Sequence, residues 1–166
     1  MVIRGKLQIT TPSDREIVMT RVFDAPRNLV FDAWTKPELL KRWLTGPEPW
    51  ILDVFEVDLR VGGSARFVWR KGEATMGMTM TYREIVRPER LVNTEKFDNP
   101  WYPGVAISTL VLIERDGKTT ATNTMLYETK DIRDSVLKTP MDEGVEYSYT
   151  KLDKMLAEAR KAATGQ

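Results

Sequence analysis

Between Trp50 and Glu128 apolar and polar residues alternate, and turn-forming pairs interrupt the alternation at short intervals. A period of two is what strands with one buried and one wetted face require, and it excludes a helical bundle. The runs predict strands over residues 51–59, 65–71, 74–86, 91–97, 105–115 and 119–128, broken at Gly62-Gly63, Lys71-Gly72, Arg87-Pro88, Asn99-Pro100 and Asp116-Gly117. Asp116-Gly117 between two alternating runs is the strongest hairpin signal in the chain. Connections this short join neighbours, so the six strands form an antiparallel meander.

The flanks change period. Residues 16–24 read as a further strand, which Ala25-Pro26 ends. Leu29, Val30, Ala33 and Trp34 then recur at helical spacing. Thr35 lies three residues before Glu38, a capping-box arrangement for a second short helix through Leu39, Leu40 and Trp43 that stops at Gly46-Pro47. Thr139-Pro140-Met141-Asp142 reads as another helix start, and Met141, Val145, Ser148, Leu152, Met155, Leu156 and Ala159 follow at helical spacing. That helix runs for about six turns, roughly 33 Å. A chain of 166 residues supports one core. We expect residues 1–14 to be an N-terminal extension and 15–163 a single domain. The expected class is α+β: a seven-stranded antiparallel sheet curled around the long C-terminal helix, with two short helices after the first strand. This helix-grip arrangement leaves room for a hollow between helix and sheet.

Composition narrows the chemistry. There are 25 basic and 24 acidic residues, a net charge of +1, which gives no field for nucleic acid or an anionic surface. No apolar run reaches the roughly 18 residues of a membrane span, and the N-terminal region has no apolar stretch of signal-peptide length, so a cytoplasmic address is expected. The chain has neither cysteine nor histidine. That excludes thiolate nucleophiles, histidine-based triads and the usual zinc ligand sets, and we expect no metal and no cofactor. An enzyme built from this chain would rely on carboxylates, Lys, Tyr, Ser or Thr; the balance favours binding over catalysis.

Several side chains fit a binding site. Met76, Met78, Met80 and Tyr82 share one face of a strand, Phe67 and Trp69 one face of the strand before it, and Met125 and Tyr127 one face of the last. Such a thioether and aromatic set either fills a core or lines a pocket for an apolar molecule. Trp43, Trp50, Trp101 and Tyr102 fall at element ends, where they pack on one another, close a pocket mouth or meet a partner. Glu84 shares strand parity with Tyr82, and Glu95 lies on the following strand. If parity holds, Glu84 points inward, where burial raises a carboxyl pKa and suits proton transfer. A bulge reverses that, leaving Glu84 to pair with Arg66 or Arg90.

Four segments resemble a known family. These are Val22-Phe23-Asp24-Ala25-Pro26 through Val30-Phe31-Asp32-Ala33-Trp34-Thr35 with Pro37-Glu38 and Arg42-Trp43; Asp58-Leu59-Arg60-Val61-Gly62-Gly63; Tyr82 through Val92, containing Glu84-Ile85 and Pro88-Glu89-Arg90-Leu91; and Met141-Asp142-Glu143-Gly144 with Tyr147-Ser148 and Leu152-Asp153. Together they resemble the activator of heat-shock protein 90 ATPase homologue family, in the START-like or SRPBCC superfamily. The resemblance runs from about Arg15 to Ala159 and implies the helix-grip fold. Superfamily members bind lipids, hormones or polyketides, act on aromatic substrates or stimulate a chaperone, so fold alone selects none of these.

The expected function is binding of a small hydrophobic or aromatic molecule between sheet and helix by Phe67, Trp69, Met76, Met78, Met80, Tyr82, Trp101, Met125 and Tyr127. One alternative is a cyclase- or hydrolase-like enzyme using Glu84 or Tyr82. Another is a chaperone-interaction module, against which the chain's ending with this one domain weighs. Homodimerisation stays open.

Overall fold

A computed structural model describes residues 6–98 and 102–164. Its elements are β1 (Gln8–Thr10), β2 (Glu16–Phe23), α1 (Arg27–Thr35), α2 (Pro37–Trp43), β3 (Ile51–Val57), β4 (Ser64–Lys71), β5 (Ala74–Val86), β6 (Arg90–Phe97), β7 (Ala106–Arg115), β8 (Lys118–Leu126), α3 (Lys130–Leu137) and α4 (Met141–Thr164). One antiparallel sheet runs in the order β1-β2-β8-β7-β6-β5-β4-β3. The meander β3 to β8 pairs strictly with its neighbours, and β2 closes on β8. The α+β helix-grip architecture is as the pattern predicts.

Three local features differ from expectation. The sheet has eight strands rather than seven, because Gln8–Thr10, in the expected extension, pairs with Val18–Thr20 of β2. The helix α3 lies within a stretch that the sequence pattern left unassigned; Thr129 caps it by accepting a hydrogen bond from the Ile132 amide at 3.1 Å. Neither expected threonine cap starts the helix assigned to it. The Thr35 hydroxyl donates back to the Phe31 carbonyl at 2.7 Å, and that of Thr139 to the Val136 carbonyl at 2.6 Å, so each serves the helix before it.

Turn chemistry holds where a positive φ is needed. Asp116 and Gly117, at φ 52° and 76°, join β7 to β8, and Gly62 at φ 85° turns β3 into β4.

Two apolar clusters fill the concave side. The larger joins Phe23, Phe67, Tyr82, Leu91, Leu110, Leu112, Leu152 and Leu156. The smaller contains Ile17, Met19, Tyr102, Ala106, Met125, Tyr127 and Val136. Helix α4 lies over both, with Tyr149 edge-on to Phe23 at 5.3 Å and to Trp34 at 5.7 Å between ring centroids. A buried ion pair, Arg21 to Asp153 at 2.8 Å, ties β2 to α4. No helix among the described residues is long and apolar enough to cross a membrane.

Candidate functional site

The two clusters do not close on each other. A cavity of about 380 Å³ lies between them. Met19 of β2, Met78 of β5, Phe97 of β6 and Met125 of β8 contribute its sheet wall; Trp34, Trp43 and Trp69 stand at one side. Along α4 the lining residues are Met141, Gly144, Val145, Ser148 and Tyr149. A Cβ at Gly144 would meet nothing within 4 Å, so the glycine does not serve a close approach of helix to sheet. The bare backbone and the short Ser148 side chain keep this turn of the helix thin, and the space they leave belongs to the hollow.

Two tryptophans are fixed by their indole N–H groups, which supports a preformed wall. Trp43 donates to the Ala33 carbonyl at 2.9 Å and Trp69 to the Leu44 carbonyl at 2.8 Å. Each indole donor is thus satisfied by a backbone carbonyl, and the ring is left to line the cavity.

One carboxyl enters this apolar space. Alternation along β6 sends Leu91, Asn93, Glu95 and Phe97 to the concave face. Glu95 faces Met80 on β5 and Ala106 on β7 across the ladder. No side chain among the described residues hydrogen-bonds to it or pairs with it. Burial pushes its pKa up to about 7, since an ionised carboxylate without a counter-charge is costly in such surroundings. The phenols of Tyr102, Tyr127 and Tyr149 are all raised, by burial first and also by the charge on Glu95. Asn123 supplies a second polar group at the wall and accepts the Ser108 hydroxyl at 2.9 Å.

Of the residues expected to bind ligand, the structure brings Trp69, Met78, Met125 and Tyr127 to the cavity. Phe67 and Tyr82 point to the same side of the sheet but sit within the filled cluster, at 0% and 1% exposure. Met76 and Met80 pack half-buried against that cluster and do not line the hollow. Trp101 lies outside the described residues. Tyr102 joins the lining, and so does Trp43.

The inward direction expected for Glu84 needs correction; that expected for Tyr82 does not. A bulge between Tyr82 and Glu84 shifts the register of β5 against β6, so Ile85 rather than Glu84 continues the inward face. Glu84 stands half-exposed and pairs with Arg90 at 3.2 Å. Tyr82 keeps its inward direction, but its hydroxyl is buried without a partner, and burial raises its pKa to about 12. The carboxyl that does face the hollow is that of Glu95. Its signal was present in the sequence, as a carboxylate on the strand face that also carries Leu91 and Phe97.

The comparisons agree with this fold. A protein from Rhodobacter sphaeroides is 30% identical, with 92% of this chain and 99% of that chain covered and a TM-score of 0.86. One from Nitrosomonas europaea is 26% identical over 90% of this chain and 99% of its own, at a TM-score of 0.77. One from Staphylococcus epidermidis is 25% identical over 92% and 94%, at 0.78. No curated protein matches. The family model described as activator of Hsp90 ATPase homolog 1-like protein matches residues 24–157, from the end of β2 through most of α4. The match takes in β3 to β8 and the part of α4 that lines the cavity, and the chain belongs to that family.

Proposed function

We propose that this protein reversibly binds a small, largely apolar or aromatic molecule in the cavity between sheet and α4. The observation that carries this is the cavity itself, about 380 Å³ lined by tryptophan, tyrosine and methionine around one carboxyl group. Its size and its mostly apolar lining with few polar groups are those of small-molecule sites. Membership of a family that typically binds hydrophobic ligands supports the same reading. Met78→Trp tests it by placing bulk in the hollow. We expect loss of apolar-dye binding with a melting temperature within about 2 °C of the parent. A parent protein that takes up no apolar dye, together with a variant destabilised by the 1–3 kcal/mol or so of overpacking, would sink the proposal.

A second reading has one specific observation behind it. A carboxyl with a pKa near 7 inside a cavity is placed for general acid or base chemistry. Under that reading a bound molecule is returned chemically altered, and Glu95→Gln abolishes the alteration.

A further inference from the structure

The composition of the cavity wall points to the charge of its occupant. No lysine or arginine lines it, and Glu95 is its one acidic group among the described residues. The buried guanidinium of Arg21, outside the lining, is held by both carboxylate oxygens of Asp153, at 3.3 and 2.8 Å. A carboxylate with no protein counter-charge in an apolar hollow is a standing cost unless the occupant supplies the opposite charge.

The aromatic rings that line the hollow with it pack edge to face. Phe97 and Tyr102 meet at 74° with centroids 5.5 Å apart, and Tyr102 and Tyr127 at 89° and 5.2 Å. Successive perpendicular rings make the walls of a box, and aromatic boxes attract ammonium groups through the ring quadrupole. Tyr149 of α4 also lines the hollow. A neutral hydrocarbon would gain nothing from the carboxylate, and an anion would be repelled by it.

We propose that the cavity selects an organic cation, an amine or quaternary ammonium on an apolar body, with its charged group at Glu95 among Phe97, Tyr102 and Tyr127. This deepens the proposed function and rests on it. The apolar body occupies the space between Trp43, Trp69, Met78 and the Gly144 turn of α4. The titratable and charged groups around Glu95 are the phenols of Tyr102, Tyr127 and Tyr149, with the Arg21–Asp153 pair and Glu146 acting on Tyr149. The phenols are raised further from neutrality, so Glu95 is the lining group that changes charge near pH 7.

The test is a matched pair of probes, benzyltrimethylammonium and its uncharged carbon isostere neopentylbenzene, titrated by calorimetry and by the fluorescence of the lining tryptophans. At pH 8 the cation should bind about tenfold or more tightly than the isostere. Its affinity should fall by about tenfold or more between pH 8 and pH 5.5 as Glu95 takes up a proton. The probe carries a permanent charge and the chain has no histidine, so this profile reports the carboxyl even without a variant. Glu95→Gln should reduce the cation to the isostere's affinity and flatten the cation's pH profile. Equal binding of the two probes at pH 8 with no pH dependence of the cation's affinity overturns the cation proposal and leaves cavity binding standing. If neither probe nor an apolar dye binds, the cavity reading fails and the cation proposal with it.

Discussion

The two halves of α4 lie over the same concave sheet and do opposite things there. In the C-terminal half Leu152 and Leu156, at 0% and 3% exposure, reach Phe23, Phe67, Leu110 and Leu112 and leave no room between helix and strands. In the N-terminal half the inner positions hold Met141, Gly144, Val145 and Ser148, and the strands opposite hold Met19, Glu95 and Met125. The backbone arrangement is continuous across the two halves; side-chain volume is what changes. A sheet gripping a helix therefore becomes a container where the helix carries small residues and stays solid where it carries leucine.

The contrast is most exposed to failure in the solid half. Phe67→Ala removes a fully buried ring and should cost about 3–5 kcal/mol, read as a fall of the denaturant midpoint at unchanged slope. A cost near 1 kcal/mol would mean that the hollow extends beneath β4 and that the distinction between the halves is wrong.

The next effect belongs to the hollow and depends on pH. The carboxyl of Glu95 titrates at about 7 in the folded protein and at an ordinary carboxylate value when unfolded, so the folded state binds the extra proton in between. Its contribution therefore weakens folding as pH rises from about 4.5 to 7, and the full penalty is present above that range. Glu95→Gln should stabilise the empty protein by about 2–3 kcal/mol at pH 8 and hardly at all at pH 4. Thermal melts of both proteins across that range measure the difference; a gap that does not change with pH would show that the carboxyl finds a partner or water.

The smallest effect concerns the solid half again. The Tyr82 hydroxyl is buried and unpartnered, so Tyr82→Phe should leave stability unchanged or raise it by up to about 1 kcal/mol, with dye binding intact. A loss of dye binding in this variant would place Tyr82 in the site and blur the boundary between the halves.

Much of the fold was legible in the alternation from Trp50 to Glu128 and in the helical spacing after Thr139, because period and turn chemistry are local. The short strand β1 was not, since three residues become a strand only through pairing with β2. Site residues were harder. Phe67, Tyr82, Met78 and Trp69 all carry inward parity, yet the first two fill core and the last two line the cavity.

Sequence by itself determined the sheet order's local pairings, the faces of most strands, the long helix and the absence of histidine and thiol chemistry. It determined faces because side-chain direction follows from the backbone period. The tertiary structure decided what no period encodes. A one-residue bulge in β5 turned Glu84 out to Arg90 and Ile85 in. Glu95 lines the hollow together with Gly144 and Ser148 rather than joining the cluster of Leu152 and Leu156, and this made its carboxyl the acidic group of a cavity. Both outcomes depend on which residues meet across a gap between elements distant in sequence, and whether that gap fills is set by summed volumes on its two sides.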